Sequence, residues 1–375
     1  MKKVLVITSV ASMVDQFFMP NLQLLQDMGY QVHVACNFQT GSTCSNERIE
    51  ALKQTLSKMD IAYYHIDFAR NVLSLRKNAL AYKQVKKLLA ANRYDMVHCH
   101  SPIGGLVTRL AGRKYRKTGT KMLYTAHGFH FYKGAPLKNW LLYYPAEKFC
   151  SRFTDVLITI NQEDYALAQQ KMKAQHVVYI PGVGIDLSRF EKVPEAGLQK
   201  RQELGIPETA TLLLSVGELN QNKNHETVIR AIADLDVYYI VAGKGELQTT
   251  LQQLIESHDL SDRVKLLGFR NDVQQLYQAA DVFVFPSFRE GLSVALMEAM
   301  ASGLPVVCSN IRGNTDLIDR NGGVLFDPSS HSDCCMAIQT CIAMQEAGNY
   351  NMKKIQPFGT AAVMAALKAL YSQLA

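Results

Sequence analysis

Short, unbroken apolar runs alternate along this chain with longer stretches in which apolar positions recur every three or four residues. The runs are rich in Val, Ile and Tyr and predict strands near residues 3–9, 30–36, 61–67, 94–100, 121–126, 155–160 and 177–181. A second series falls near 211–217, 237–242, 264–267, 281–286, 304–307 and 323–326. Each run is followed by a helical pattern. Strands that are apolar throughout, and not only at every second position, must be covered on both faces, which is the condition of a parallel sheet with helices on each side. The pattern therefore predicts a doubly wound α/β fold that occurs twice, without a residue-level repeat. Ile180-Pro-Gly-Val-Gly184-Ile-Asp186 breaks it with a proline and two glycines, and this sets the expected domains at 1–182 and 183–357. The last helix, about 358–375, has no strand of its own to follow, so either domain can receive it, the first included.

Composition agrees with this picture and narrows it. At 375 residues, 48% hydrophobic and 19% charged, the chain suits two globular domains with full cores. No apolar run reaches the roughly 18 to 20 residues that a membrane-spanning helix needs. The start, Met1-Lys-Lys-Val-Leu-Val-Ile-Thr, imitates a signal peptide, but Asp15 and a helical pattern follow, so it reads as a first strand. The eight cysteines show no CxxC pairs or regular spacing and read as reduced thiols of a cytoplasmic protein. Charge is unevenly spread: residues 1–180 hold 24 Lys/Arg and 11 Asp/Glu, a net +13, and the remainder 16 and 22, a net −6, giving the +7 of the whole chain. A basic half can face nucleic acid, anionic lipid or a phosphorylated substrate.

The densest chemistry lies in Phe285-Pro-Ser-Phe-Arg-Glu290-Gly291-Leu-Ser293-Val-Ala-Leu-Met-Glu298-Ala-Met-Ala-Ser-Gly303-Leu-Pro305. A strand ends near Pro286 and a helix is expected over 292–302, stopped by Gly303 and Pro305. Glu290 then stands at the carboxyl end of a strand, where open α/β sheets bind ligands. Gly291, Leu292 and Ser293 fall at a helix start suited to phosphate. Lys223 precedes a second helix start, and Gly243-x-Gly245 follows a strand as a tight turn that lets backbone approach a nucleotide. His127 closes the strand 121–126 ahead of Gly128. His98 and His100 share one strand face with no third ligand nearby in sequence, which argues against a metal pair. Asp234-Leu-Asp236 matches a metal-binding DxD pattern, yet it lies in a helix-to-strand turn where aspartates are common. No GxSxG, HExxH or P-loop motif occurs, which argues against hydrolases and kinases.

These residues resemble family 4 glycosyltransferases, retaining enzymes of the GT-B architecture, and most closely the bacterial enzymes of capsule and extracellular polysaccharide synthesis. The resemblance covers nearly the whole chain. It rests on Glu290-x7-Glu298 with Gly303-Leu-Pro, and is supported by Val216-Gly217-Glu218-Leu-Asn-Gln-Asn-Lys223-Asn-His225, Ala242-Gly243-Lys-Gly245-Glu246, Leu267-Gly268-Phe269 and Thr125-Ala-His127-Gly128. It implies two Rossmann-like domains facing across a cleft and a nucleotide-sugar donor, with UDP the expected nucleotide, and sugar passing to a lipid-linked or saccharide acceptor. By resemblance Glu290 grips the donor sugar, Glu298 the ribose hydroxyls, Lys223 the diphosphate, and His127 the reaction centre. Gly217, Glu218, Gly243, Gly245, Gly268, Phe269 and the 291–293 amides complete the donor site. Glu218 departs from the arginine usual in the family, which leaves its role open. No metal or other cofactor is expected.

Residues 109–121 carry six Lys/Arg, read as a basic helix end able to meet an anionic membrane. The aromatics Phe129, Phe131, Tyr132, Trp140, Tyr143 and Tyr144 beside it suit either a membrane interface or a core. The expected location is therefore cytoplasmic, at the inner face of the cell membrane, with no nucleic-acid partner. Ser9–Phe18 is expected as the first loop, open to substrate, and lacks the paired glycines common in the family; Asp15 and Phe17 are its candidates for substrate contact. Two rivals remain at this stage: a UDP-sugar epimerase of the same architecture, and a silent nucleotide-binding subunit of an assembly complex.

Overall fold

The computed structural model describes residues 1–40, 44–71, 74–191 and 193–374, with only the backbone of Pro194. By internal packing the chain divides into two units. The first is Met1–Gly184 with the last helix, Thr360–Leu374, and the second is Ile185–Gly359.

In the first unit, seven strands form one sheet. They are β1 Lys3–Val10, β2 Gln31–Asn37, β3 Ala62–His65, β4 Met96–His100, β5 Lys121–Ala126, β6 Val156–Thr159 and β7 His176–Tyr179. Their order is β3-β2-β1-β4-β5-β6-β7, with every neighbouring pair parallel. The order reverses between β1 and β4, so the loops after these two strands diverge and leave the crevice where such sheets bind ligands. Alternate residues of β1 feed opposite layers: Val4 and Val6 join one core cluster, Leu5 and Ile7 the other. This is the two-sided burial that the unbroken apolar runs required.

The second unit repeats the plan with six strands: β8 Leu212–Val216, β9 Tyr238–Ala242, β10 Val264–Gly268, β11 Val282–Phe285, β12 Val306–Ser309 and β13 Gly323–Phe326. Their order is β10-β9-β8-β11-β12-β13, and the reversal falls between β8 and β11. Phe283 and Phe285 enter one core, Val282 and Val284 the other.

All thirteen expected strands occur, each end within two residues of its expected place. The run at 304–307 becomes Val306–Ser309 because Pro305 has no N–H to give the ladder. The helix expected over 292–302 is Val294–Ala301, capped by Ser293, whose hydroxyl accepts from the Leu296 N–H at 3.3 Å. The last helix packs in the first unit, where Val363, Leu367, Leu370 and Tyr371 enter the core of β1 and β2. Buried side chains of this size stabilise by about 1.5–3 kcal/mol each.

Two sequence expectations are corrected. Ser9–Phe18 is not a loop: after Val10 the chain turns through Ala11–Met13 and a π-helical Val14–Phe18 into the helix Met19–Asp27. Asp15 there pairs with Arg48 at 2.8 Å. Residues 109–121 are not one basic helix end. The helix Pro102–Gly112 stops before a 3-10 turn, Tyr115–Thr118, and Lys121 begins β5. Arg109 is fully buried, with its guanidinium over the Tyr124 ring and held by both Glu147 oxygens at 2.5 and 3.0 Å. A cation enclosed in this way belongs to the core and cannot meet a lipid headgroup.

Candidate functional site

In the second unit the loops after β8 and β11 are tied to each other. The Asn222 side chain donates to Arg289 O at 3.0 Å, and the Phe288 N–H donates to Asn222 O at 2.8 Å. Asn224, in the left-handed region at φ 55, donates to Pro286 O at 3.1 Å and Pro328 O at 2.8 Å. Asparagine is among the few side chains that visit this backbone region readily. These ties bring Lys223 and Glu290 together, with Nζ 2.8 Å from Oε1 and both side chains only 20% and 15% exposed. The ammonium also lies 4.7 Å from the Phe285 ring centroid. A positive charge and a carboxylate thus sit at the carboxyl ends of the two strands that flank the topological switch.

Arg312, in the loop after β12, fixes the other side of this loop. Its Nε and Nη2 donate to Glu290 O at 3.2 and 3.1 Å. Gly313 follows at φ +81, and a Cβ there would come 2.3 Å from Gly291 O. Sequence reasoning missed Arg312, Asn222 and Asn224. The asparagines flanking Lys223 were a legible turn signal, whereas nothing local marks Arg312.

The expected glycines have a steric reason besides the one the sequence suggested. A Cβ on Gly243 would lie 1.8 Å from Gly217 O, and one on Gly245 would lie 2.3 Å from Leu219 O. They allow the loops after β8 and β9 to touch each other, and backbone bonds complete the join. Gly217 N–H donates to Ala242 O, Leu219 N–H to Lys244 O, and Gly243 N–H to Gly268 O. Gly268 itself takes φ +69. Phe269 beyond it is 67% exposed, a large apolar ring left at the rim. Glu218 is exposed and accepts from the Asn220 side chain at 2.9 Å.

Glu298 lies in the helix Val294–Ala301, below Gly291, Leu292 and Ser293. Tyr277 Oη donates to its Oε2 at 3.1 Å. Burial raises its carboxyl above the ordinary range, and the Tyr277 bond and the Arg189 charge oppose this only in part. A carboxylate in that state gains from any further hydrogen-bond donor.

The first unit holds His98, His100 and His127. His98 uses both ring nitrogens, Nδ1 with Tyr371 Oη at 2.9 Å and Nε2 with Thr125 Oγ1 at 2.8 Å, leaving neither for a metal. His100 Nδ1 lies 3.3 Å from His127 Nε2, and Phe18 packs 4.2 Å from the His100 ring. His100 Nε2 is buried without a partner among the described residues. A buried orphan N–H is rarer than an orphan acceptor, so the proton is assigned to His100 Nδ1, which donates to His127 Nε2. His127 then carries its own proton on Nδ1. Burial lowers all three rings, His98 to about 3, His127 to about 4 and His100 well below the ordinary value, so they are neutral at physiological pH. Phe17 borders this cluster; Phe129 and Phe131 are buried and stacked at 4.8 Å, which settles that aromatic pair as core.

Residues 198–354 match the family described as Glycosyl transferases group 1, and residues 3–161 match Glycosyl transferase 4-like. Over 333 residues, 87% of this chain and 83% of the relative, the sequence is 39% identical to the putative glycosyltransferase EpsD of Bacillus subtilis. It is 32% identical over 268 residues, 68% of each chain, to the UDP-Gal:alpha-D-GlcNAc-diphosphoundecaprenol alpha-1,3-galactosyltransferase of Escherichia coli. The fold matches Anabaena HepE, solved in complex with UDP, with a TM-score of 0.78 at 22% identity over all of both chains. Two doubly wound parallel sheets, the second with a charged pair at its switch point, define the GT-B class of glycosyltransferase. Within that class this chain belongs to the family 4 (group 1) glycosyltransferases.

Proposed function

We propose that this protein transfers a hexosyl or N-acetylhexosaminyl group, with retention of anomeric configuration, from a UDP-sugar to a lipid-linked saccharide in cell-surface polysaccharide assembly. It works in the cytoplasm at the inner face of the membrane. The observation that carries the reading is the Lys223–Glu290 pair, 2.8 Å apart at the end of β11. In it one group suits a diphosphate and the other suits sugar hydroxyls. The activity for which the Escherichia coli relative is named, with a UDP-linked donor and a diphosphate-lipid acceptor, supports the same substrates here.

In this reading the diphosphate takes up Lys223 and the Ser293-capped helix start, where amides and the helix dipole favour an anion. Drawing Lys223 toward phosphate releases Glu290 to accept hydrogen bonds from the donor sugar. Glu298 accepts from the ribose, and the loops built on Gly217, Gly243, Gly245 and Gly268 shape the nucleotide's seat, with Phe269 at its rim. The His127 Nδ1–H serves the transferred sugar. As the C–O bond breaks, negative charge grows on the departing phosphate, which Lys223 and the helix start stabilise. The acceptor hydroxyl attacks from the face that the phosphate leaves, and a phosphate oxygen takes its proton. Positioning and electrostatics then suffice without an enzyme nucleophile, and the positive charge at the phosphate comes from the chain itself, with no divalent cation required.

The test is a thermal-shift screen of UDP- and GDP-sugars, then transfer to lipid extract with the product anomer read by NMR, with and without EDTA. UDP-sugars should stabilise the protein and the product should keep the donor's anomeric configuration in EDTA. Failure of every UDP-sugar to stabilise the fold would sink the donor assignment, and an inverted product the mechanism.

A further inference from the structure

The helix Leu137–Ser151 presents a face that the fold does not cover. Leu137 is 73% exposed, Leu141 71%, Leu142 46% and Phe149 47%, and Pro145 is exposed between them. At 3.6 residues per turn these five positions fall on one arc about 140° wide. Lys138, Lys148 and Arg152 fall on the same arc, interleaved with the apolar side chains. Lys148 Nζ stands 5.3 Å from the Tyr144 ring and the Arg152 guanidinium 6.0 Å from the Phe149 ring, so both stems lie along apolar surface. The opposite face is packed. Cys150 and Ser151 are buried, and Glu147, the helix's sole acid, is turned inward and paired with Arg109.

The basic turn that follows Gly112 meets the end of this helix. Arg116 Nη1 donates to Arg152 O at 2.9 Å, and its other nitrogens hold Asp155. Arg113, Lys114 and Lys117, in the same short segment as Arg116, are exposed. Apolar side chains and uncompensated cations therefore share one surface, and the acids nearest to it are consumed by internal ion pairs.

We propose that this face docks on an anionic lipid bilayer, with the leucines and Phe149 entering the headgroup boundary and the cations lying among the lipid phosphates. Charge decides the occupant. A second copy of the chain would set the same cations against one another, whereas an anionic leaflet complements them. The docking surface extends the reading of a lipid-linked acceptor, because it would hold the first unit where such an acceptor is found. Its physical argument does not need that reading, since it stands on the exposed helix face alone. It also replaces the basic stretch 109–121 expected from sequence, keeping only the exposed cations of that stretch.

The experiment is flotation of the full chain with vesicles of equal parts phosphatidylglycerol and phosphatidylcholine at low salt. The wild type should float with them, bind pure phosphatidylcholine poorly and dissociate as salt rises. The double variant Leu137→Ser, Leu141→Ser should lose about a hundredfold in affinity, and Lys138→Glu about tenfold. Both leave the core untouched, so unchanged thermal midpoints verify folding. Equal binding by the double variant overturns the proposal, as does no binding by the wild type, or a dimer in light scattering that the leucine changes dissolve. UDP affinity is measured alongside: its absence would count against the donor assignment and leave the vesicle result standing.

Discussion

Lys223 and Glu290 are 67 positions apart in the chain and 2.8 Å apart in the fold. Each was readable as a candidate from its own helix start or strand end, but their pairing was not, because it depends on asparagine side chains that reach across from one loop to the other. The pair gives a sharp expectation. Lys223→Glu would set two carboxylates at the proposed phosphate seat, so transfer should fall by at least about a thousandfold in a radiolabelled-donor assay; near-normal turnover would remove Lys223 from the mechanism. Glu298 makes a subtler case. Its folded pKa is raised, so the stability it gives is present at low pH and lost as pH rises through the folded value. Glu298→Gln should therefore raise the melting temperature of the unliganded protein at neutral pH. If the ribose hydroxyls donate to the carboxylate, the same change should weaken UDP about tenfold by calorimetry. A variant that melts higher and binds UDP unchanged would make Glu298 a structural residue only.

Among the elements, the strands were the most legible part of the sequence because a two-sided parallel strand must be apolar along its whole length. The loops that join them were less so. Gly243 and Gly245 look like nucleotide-contact glycines from sequence, yet the backbone they admit is that of the neighbouring loop, 1.8 and 2.3 Å from where a Cβ would stand. Gly243→Ala must push the loop after β8 away from β9 and should cost about 3 kcal/mol in urea unfolding, with loss of UDP binding. A stable variant would show that the loops can separate freely. The last helix is similar. Its apolar spacing announced a helix, but its seat in the first unit is set by Tyr371, which contacts Asn21 and His98 from the far end of the chain.

At the scale of the whole molecule, acid should act first on the unit that holds the clustered histidines. His98, His100 and His127 are lowered by burial, so unfolding lets each take up a proton that the folded state refuses. Stability should be level above the ordinary histidine value of about 6.5 and fall below it, by about 1.4 kcal/mol per pH unit for each ring that the fold keeps neutral. The decline should run down toward pH 4. Urea midpoints between pH 7 and 4, compared with a His98→Gln variant, measure the slope; a flat profile would mean that the cluster opens to solvent at little cost. The sequence by itself determined the two-sheet plan, the order of strands and helices, the division of charge and the residue types able to hold a nucleotide sugar. These follow from local periodicity and from motifs that are contiguous in the chain. Only the tertiary structure decided that Lys223 meets Glu290, that Arg109 is core, that the glycines serve loop against loop, and that the helix Leu137–Ser151 turns leucines outward. Each of those depends on which side of an element faces its neighbours, and burial is a property of the packed molecule that no short stretch of sequence carries.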